Sequence, residues 1–257
     1  MAQLLPLGDG VWRLIGRHGK DLVLKRCGPA ERWFYRRFGG TAFGAPRCLG
    51  LIRAPGGGGW LLLEALPEHY PDLSDPAAVA AVYRHLGAIH RRTVGLRGPA
   101  PPGFPAPAQV AALVGPEPAA LLATGPRVLL HGDYHRWNLV SAGGRIRVLD
   151  WGRATIGHPI WDLALLSAPV PGSSDGPPAA LTEQALRAYH RAGPLAHLDW
   201  PSFHRLHLAT AAALCRQRAA AYAAAAARVG GGLAEPVRAQ AAAEEARAEA
   251  LLALARM

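Results

Sequence analysis

A short polar segment between two apolar strands constrains this chain of 257 residues more than any other feature. The segment His131–Leu139 (HGDYHRWNL) places an aspartate, Asp133, five residues before an asparagine, Asn138. Twelve residues further on, Asp150 stands at the end of the apolar strand predicted at Ile146–Leu149, and Trp-Gly follows it. Two polar motifs at this spacing, with strands on either side, indicate one site.

The residue types fit phosphoryl transfer from a nucleoside triphosphate. Metal ions must neutralise the triphosphate, and carboxylate and amide oxygens are the hard ligands they prefer. We therefore predict that Asp150 holds Mg²⁺ and that Asn138 holds a second or shared Mg²⁺, whereas Asp133 faces the acceptor hydroxyl. The alternative is that Asp133 starts an Asx-turn and Asn138 merely tolerates a left-handed backbone.

A kinase-type site also needs a cation for the phosphates, and Lys25 is the candidate. It ends the run Leu22–Lys25, which resembles the strand motif V-A-I-K, and apolar Val23 shares its face under a period of two. The alternatives are a solvated edge lysine, or Arg26 as the inward residue after a slip of one. Glu31, in the first turn of the next helix, is the predicted ion-pair partner; otherwise it is an ordinary first-turn acid.

A phosphate-covering turn belongs before the first firm strand. The triplet ending at Gly10 (Gly-Asp-Gly) lies there, although a single such triplet is a weak signal.

The predicted elements change character along the chain. The first part contains strands and one short helix that Pro29 opens; from about Pro67 helices dominate. The predicted strands and helices are Val11–Ile15, Leu22–Arg26, Cys48–Ile52, Trp60–Glu64, a helix after Asp75, a hairpin around Gly143 and Gly144, and helices at about 179–192, 200–228 and 233–256. This pattern predicts an α+β fold with a small β-rich N-lobe (1–66), a hinge near 64–68 and a larger, mainly helical C-lobe (67–257).

Composition excludes several classes of protein. Half of the residues are apolar, which excludes a largely disordered chain. The three cysteines are far apart and odd in number, so reduced thiols in a cytoplasmic protein are expected. No targeting segment or apolar tract long enough for a membrane span is visible, so no membrane partner is expected.

The net charge of +10 raises the alternative of a nucleic-acid-binding protein. Residues 1–66 carry 10 basic and 4 acidic residues, whereas residues 67–257 carry 18 and 14. No run of five basic residues occurs, and no basic helix is interleaved with aromatic residues, which disfavours nucleic acid as a partner. The excess of basic residues in the first 66 residues is equally consistent with a basic patch that binds the phosphates of a nucleotide.

Two hydrolytic sites are disfavoured. His131 and His135 are four residues apart, but a zinc protease needs H-E-x-x-H on a helix, and here Gly132 and Asp133 follow the first histidine on a loop. No G-x-S-x-G elbow exists for a serine hydrolase.

With these motifs the sequence resembles the aminoglycoside phosphotransferase and choline kinase superfamily, small-molecule relatives of protein kinases. The similar segments span most of the chain and are Leu86–His90 (LGAIH), His131–Asn138 (HGDYHRWN), Val148–Trp151 (VLDW) and Gly157–Ala164 (GHPIWDLA). Two features depart from the family pattern: Lys25 and Glu31 are only six residues apart, and the small lobe is compact.

The resemblance implies a two-lobed protein-kinase-like fold, ATP and Mg²⁺ as cofactors, and transfer to an alcohol group. By position, Asp133 is the catalytic aspartate, and Asn138 and Asp150 are metal ligands. His131 and the buried Asp162 support the catalytic loop, and Glu64-Ala65-Leu66 is the hinge whose backbone meets adenine. The implied ATP-binding residues are Lys25, Glu31, Gly10, Glu64 and Leu66.

The acceptor is expected to be a small molecule. Only Arg153–Ile160 separate the Asp150 motif from the next helix, too few residues for the activation segment of a protein kinase. Aminoglycosides, sugars, amino alcohols and related metabolites remain open, with His135, Trp137 and Trp161 as candidate substrate contacts; core packing is the alternative for both tryptophans.

Aminoglycosides are polycations that prefer an acidic pocket, and acids after residue 170 are few; the cluster Glu244, Glu245 and Glu249 is typical of a solvated helix face. A catalytically inactive binding protein with the same fold is a further alternative, against which the intact motif residues argue.

Overall fold

The computed structural model describes residues 3–16, 21–39, 43–53, 58–67, 69–98, 104–167, 179–229 and 234–256. By its contacts the chain divides into two units: residues 1–72 with 131–155, and residues 73–130 with 156–257. The predicted catalytic loop and metal segment are thus grouped with the N-terminal strands, and the lobe boundary at residue 66 stays a prediction.

Five antiparallel strands form the sheet of the first unit, in the order β1-β2-β3-β5-β4. They are β1 (Gln3–Gly8), β2 (Val11–Ile15), β3 (Leu22–Cys27), β4 (Cys48–Arg53) and β5 (Gly59–Glu64). In this register Lys25 on the central β3 lies opposite Val11 on one side and Leu61 on the other. The sequence did not predict β1, because all six of its residues are exposed and Pro6 interrupts it, so it lacks the alternation of a half-buried strand.

Helix α1 (Pro29–Phe38) follows β3 as predicted. Proline opens it because the first helical N–H has no partner in any case, and Gly39 ends it in the left-handed conformation, with φ +68°. Phe34 on its buried side stacks on Trp151, with ring centroids 3.8 Å apart and an interplanar angle of 8°. This stack joins α1 to the segment that carries Asp150.

The predicted hairpin of the first unit consists of β7 (Leu139–Ala142) and β8 (Arg145–Val148), which follow the short strand β6 (Val128–Leu130) in the chain. Gly143 and Gly144 connect its strands with positive φ values of 56° and 70°, as a two-residue turn of this kind requires. At the open end, the N–H of Leu149 donates to the carbonyl of Asn138 over 2.8 Å. The hairpin therefore brings Asn138 beside the residue that precedes Asp150.

The second unit is mainly helical, as predicted. Its elements are α2 (Pro76–Arg92), α3 (Pro107–Val114), α4 (Pro116–Thr124), β6, the strand β9 (Thr155–Gly157) paired with β6, α5 (Ile160–Ser167), α6 (Ala179–Ala192), α7 (Trp200–Val229) and α8 (Ala234–Arg256). Asp75 caps α2 by accepting from the backbone N–H groups of Ala77 and Ala78. Helices α3 and α4 were not predicted, because each begins at a proline next to a Pro-rich stretch that is typical of a loop.

Small apolar residues pack the long helices α7 and α8 against each other. Ala212, Cys215, Ala248 and Leu252 form a buried cluster between them. No helix in the described part of the chain combines the length and hydropathy that a membrane span requires.

Candidate active site

Lys25 lies between two carboxylates that come from different elements of the first unit. Its Nζ donates to Oε1 of Glu31 on α1 over 2.9 Å and to Oδ1 of Asp150 after β8 over 2.6 Å. Arg26, the alternative, is exposed on the other face of β3. The predicted Lys25–Glu31 ion pair is therefore formed, and the short spacing of the two residues allows it.

Lys25 and Asp150 stabilise each other's charged form, whereas burial and the charge of Asp150 raise the pKa of Glu31 in spite of Lys25. Burial lowers the pKa of Lys25, but the charges of Glu31 and Asp150 outweigh this effect and hold the pKa above its usual value. Burial likewise raises the pKa of Asp150, and the charge and hydrogen bond of Lys25 outweigh it, so this pKa is lowered. A protonated lysine thus faces an ionised Asp150 at neutral pH.

Asp150 has an unusual backbone. Its φ of 53° makes it the one non-glycine residue with positive φ in the described part of the chain. This conformation costs most residues about 1–2 kcal/mol, although aspartate tolerates it better than most. The carboxylate also accepts from the N–H of Gly152 over 3.2 Å and so caps the turn that follows. Such local strain is often found at functional sites.

His131 connects the loop of Asp133 to the strand end before Asp150. Its Nε2 donates to the carbonyl of Leu149 over 2.8 Å, and its Nδ1 accepts from the N–H of Asp133 over 3.3 Å. These partners assign the proton to Nε2. The ring also packs edge-on against Trp151, at 4.8 Å between centroids. Sequence reasoning placed His131 in support of the loop but gave no signal for its partner, Leu149.

The loop turns sharply at Gly132, which has φ +80°. A Cβ atom there would lie 2.4 Å from the carbonyl oxygen of Arg153, closer than real contacts allow.

We expect Gly132→Ala to destabilise the protein by several kcal/mol, because the backbone strain and the clash with Arg153 add. Gly144→Ala is the matched control, since Gly144 also has positive φ but open space around its Cβ. That control should cost only about 1–2 kcal/mol. Urea denaturation of both variants measures the difference, and equal losses would contradict the packing described for Gly132.

Asp133 is half-buried and ionised. Burial raises its pKa, but the neighbouring His135 and the charges of Arg153 and His131 outweigh burial and lower it. Nε2 of His135 lies 3.7 Å from Oδ2 of Asp133 and 3.2 Å from Nδ2 of Asn138. Nδ1 of His135 is buried without a hydrogen-bond partner among the described residues.

Asn138 and Asp150 fit a magnesium ion that is coordinated partly by the protein and partly by phosphate oxygens. Nδ2 of Asn138 donates to the carbonyl of Asp133 over 2.9 Å, which leaves its Oδ1 for a ligand. The contacts of Asp150 all involve Oδ1, so Oδ2 is also available within the described residues. No group of three or more His, Cys, Asp or Glu residues there forms a complete metal site. Mg²⁺ usually has one or two protein oxygens, with phosphate and water as its other ligands.

The predicted ATP-binding residues at the end of the sheet are also within the first unit. Gly10 has φ +69° in the turn between β1 and β2, and its carbonyl accepts from the N–H of Arg26 over 2.7 Å. Glu64 ends β5 and half-buried Leu66 follows. The carboxylate of Glu64 accepts from the backbone N–H of Arg47 over 2.8 Å and forms an ion pair with Arg147. Sequence reasoning missed Arg147, because no local pattern marks a partner 83 residues away.

Glu64→Gln should show a pH-dependent loss of stability. Burial raises the pKa of Glu64, but the contacts with Arg47 and Arg147 outweigh it, so the pKa lies below its usual value. A lowered carboxyl pKa contributes stability above the unfolded value of about 4.3 and loses it as pH falls through the folded value. Glu64→Gln should therefore cost up to about 1 kcal/mol at pH 7 and clearly less at about pH 3.

Urea denaturation at both pH values checks this expectation. Glu235→Gln is the control, since Glu235 is more exposed and pairs only with Arg238 on its own helix. A loss for Glu64→Gln that is equal at both pH values would contradict the ionic explanation.

The remaining candidates lie in different surroundings. Trp137 is 40% exposed and packs edge-on against Tyr70. Trp161, in the second unit, is buried and stacks on Phe104, so its surroundings favour core packing. Asp162 is fully buried on α5, and its Oδ2 lies 3.3 Å from Nε2 of His90 on α2.

The antiparallel sheet with its lysine–glutamate pair, the loop with Asp133 and Asn138, and the following Asp150 define a kinase-like protein. Within that class, the chain belongs to the phosphotransferase enzyme family, whose model matches residues 8–202. None of the curated proteins compared with the chain matches it significantly.

Solved structures share this fold. A thermostable mutant of aminoglycoside phosphotransferase APH(4)-Ia, in a ternary complex with ADP and hygromycin B, has a TM-score of 0.57 at 18% identity, covering 98% of this chain and 93% of that one. An aminoglycoside phosphotransferase from Alicyclobacillus acidocaldarius has a TM-score of 0.57 at 15% sequence identity, and the match covers 99% of this chain and 91% of that one. The macrolide 2'-phosphotransferase MphH from Brachybacterium faecium has a TM-score of 0.54 at 19% sequence identity, and the match covers 98% of this chain and 91% of that one. At these identities the likeness concerns the fold.

Proposed function

We propose that this protein is an ATP- and Mg²⁺-dependent small-molecule kinase that transfers the γ-phosphate to a hydroxyl group. The observation that carries the proposal is the position of Lys25 Nζ, 2.9 Å from Glu31 and 2.6 Å from Asp150, in the same unit as Asp133 and Asn138. A lysine held in this way is the phosphate-binding cation of kinase-type sites. The solved structure with bound ADP and hygromycin B supports a nucleotide and a small-molecule acceptor.

Each residue has a defined part in the transfer. Lys25 binds the α- and β-phosphates, and Glu31 keeps it in position. Asn138 and Asp150 hold Mg²⁺, which when bound offsets the negative charge of the phosphates. The ionised carboxylate of Asp133 accepts a hydrogen bond from the acceptor hydroxyl and orients its oxygen toward the γ-phosphorus. A new P–O bond forms, the bond to the ADP oxygen breaks, and the hydroxyl proton leaves through Asp133.

Other residues support this site. His131 positions the catalytic loop through Leu149, and we assign Asp162 to the same role. Gly10 covers the phosphates, the backbone at Glu64–Leu66 binds adenine, and His135 and Trp137 are the candidate acceptor contacts, whereas the buried Trp161 is assigned to the core. In this proposal residues 1–66 bind the nucleotide and residues 67–257 contain the catalytic and acceptor-binding parts. The three free cysteines support a cytoplasmic location.

A mass-spectrometric screen tests the function. Purified protein, ATP and Mg²⁺ are incubated with pooled aminoglycosides, sugars, amino alcohols and a metabolite extract. We expect a product heavier by about 80 Da, the mass of one transferred HPO₃ group. The product must be absent with Asp133→Ala and present with Glu183→Gln, which removes a surface carboxylate on α6. Mg²⁺–ATP binding without any product would favour a binding protein with a kinase fold.

A further inference from the structure

Within the acidic cluster on α8, Glu244 is buried in a helix–helix contact, whereas Glu245 and Glu249 are exposed as expected but paired with an arginine. Glu244 is 2% exposed, and its carboxylate lies 3.0 Å from Arg218 on α7. Arg216, also on α7, lies 3.2 Å from the carboxylate of Glu245 and forms an ion pair with Glu249 as well. The carboxylates that a positively charged ligand would need are therefore already paired within the protein.

The other acids of the second unit are also occupied. Glu117 pairs with Arg205 at 3.4 Å, and Glu183 and Glu235 pair at 2.8 Å with arginines one turn further along their own helices. Asp75 and Asp199 accept hydrogen bonds from the backbone N–H groups at the starts of α2 and α7. With Asp162 beside His90, every carboxylate in the described part of the second unit has a partner.

Two cavities show the same bias toward positive charge. One, of about 400 Å³ beside α1, is lined by Arg32, Arg36 and Arg37, and no acid is among its described lining residues. The other, of about 370 Å³ in the second unit, is lined by Arg97 and Arg127, and its described lining likewise includes no acid. Together with the net charge of +10, these surfaces repel cations and attract anions.

We infer that the acceptor is a neutral or anionic hydroxyl compound, such as a sugar, a polyol or a hydroxy acid, and not a polycationic aminoglycoside. This inference rests on the proposed function and names its substrate class. A polycation would have to break existing ion pairs or remain uncompensated against a basic protein, and like-charge contacts of this kind cost several kcal/mol. In the proposed function Asp133 and Asp150 serve the hydroxyl and the metal ion.

Charge-based fractionation of the acceptor pool tests the inference. The metabolite extract and the pooled aminoglycosides are passed over a strong cation exchanger at pH 7. Each fraction is then offered to the full-length enzyme with ATP and Mg²⁺, and Asp133→Ala serves as the blank. We expect the phosphorylated product from the unretained fraction, which contains the neutral and anionic compounds. Product only from the retained fraction would overturn the inference but leave the phosphotransferase assignment in place.

A direct comparison of acceptors makes the test quantitative. Glucose, gluconate, glucosamine and a polycationic aminoglycoside are compared by kcat/KM, with the aminoglycoside expected at least 100-fold below the best neutral or anionic acceptor. A kcat/KM that is highest for the aminoglycoside would overturn the inference. If neither fraction nor any of these acceptors gave an ATP-dependent product, the proposed function itself would fail, and the inference with it.

Discussion

Replacing Asp133 with alanine should lower kcat by about 10²–10⁴-fold and leave Mg²⁺–ATP affinity nearly unchanged. Its carboxylate is ionised, half-buried and beside His135, whereas the ion pairs of Lys25 are with Glu31 and Asp150. In the proposed mechanism, losing it removes the group that orients and deprotonates the hydroxyl, whereas the proposed phosphate and metal ligands remain. Single-turnover phosphorylation and calorimetric titration with Mg²⁺–ATP separate the two effects.

Two control variants make the result specific. Asp133→Asn keeps the shape of the side chain and its place beside His135 but lacks the negative charge, so it should be almost as inactive as alanine. Glu183→Gln, which removes a paired surface carboxylate on α6, should keep full activity. If Asp133→Asn retained normal turnover, the assignment of Asp133 would be wrong.

The second large effect is expected at Asp150. Asp150→Asn should weaken Mg²⁺-dependent nucleotide binding by more than the roughly 10–100-fold that is typical of losing a residue that only supports a metal ligand. The amide still tolerates positive φ and still accepts from Gly152, but it lacks the charge that faces Lys25 and the metal ion. Asp150→Ala should bind equally poorly and should also be less stable, by about 1–2 kcal/mol, because alanine is strained in this conformation.

Nucleotide titrations with Mg²⁺ and with EDTA, together with urea denaturation, distinguish these contributions. In the wild-type protein Mg²⁺ should strengthen ATP binding, and in both variants most of this gain should be lost. Unchanged Mg²⁺ dependence in Asp150→Asn would exclude Asp150 as a metal ligand. Equal stability of the asparagine and alanine variants would contradict the strained backbone at this position.

The sequence predicted the parts of the site that lie on regular, locally encoded elements. The alternation along β3 favoured Lys25 over Arg26, and the structure pairs Lys25 with Glu31, as predicted, and also with Asp150, which was not predicted as its partner. The glycine pair at Gly143 and Gly144 marked the hairpin whose open end brings Asn138 beside Leu149. These predictions succeeded because a period of two and a tight turn are recorded in neighbouring residues.

Features that depend on distant or exposed partners could not be predicted. Strand β1 has no buried face, and the prolines that open α3 and α4 are equally typical of loops. The ion pairs of Arg147 with Glu64 and of Arg218 with Glu244 join residues 83 and 26 positions apart. For the same reason the acids of α8 were interpreted as a solvated face, although Glu244 is buried against α7.

The two-sided bonding of His131 makes the Asp133 loop and the Asp150 segment mechanically coupled. One rigid aromatic ring spans the gap, bonded to the backbone of Asp133 on one side and to that of Leu149 on the other. A displacement of the β8 end is therefore transmitted to the loop without passing through a flexible side chain. Sequence changes along the hairpin should therefore shift the backbone of the Asp133 loop and of the Asp150 segment together.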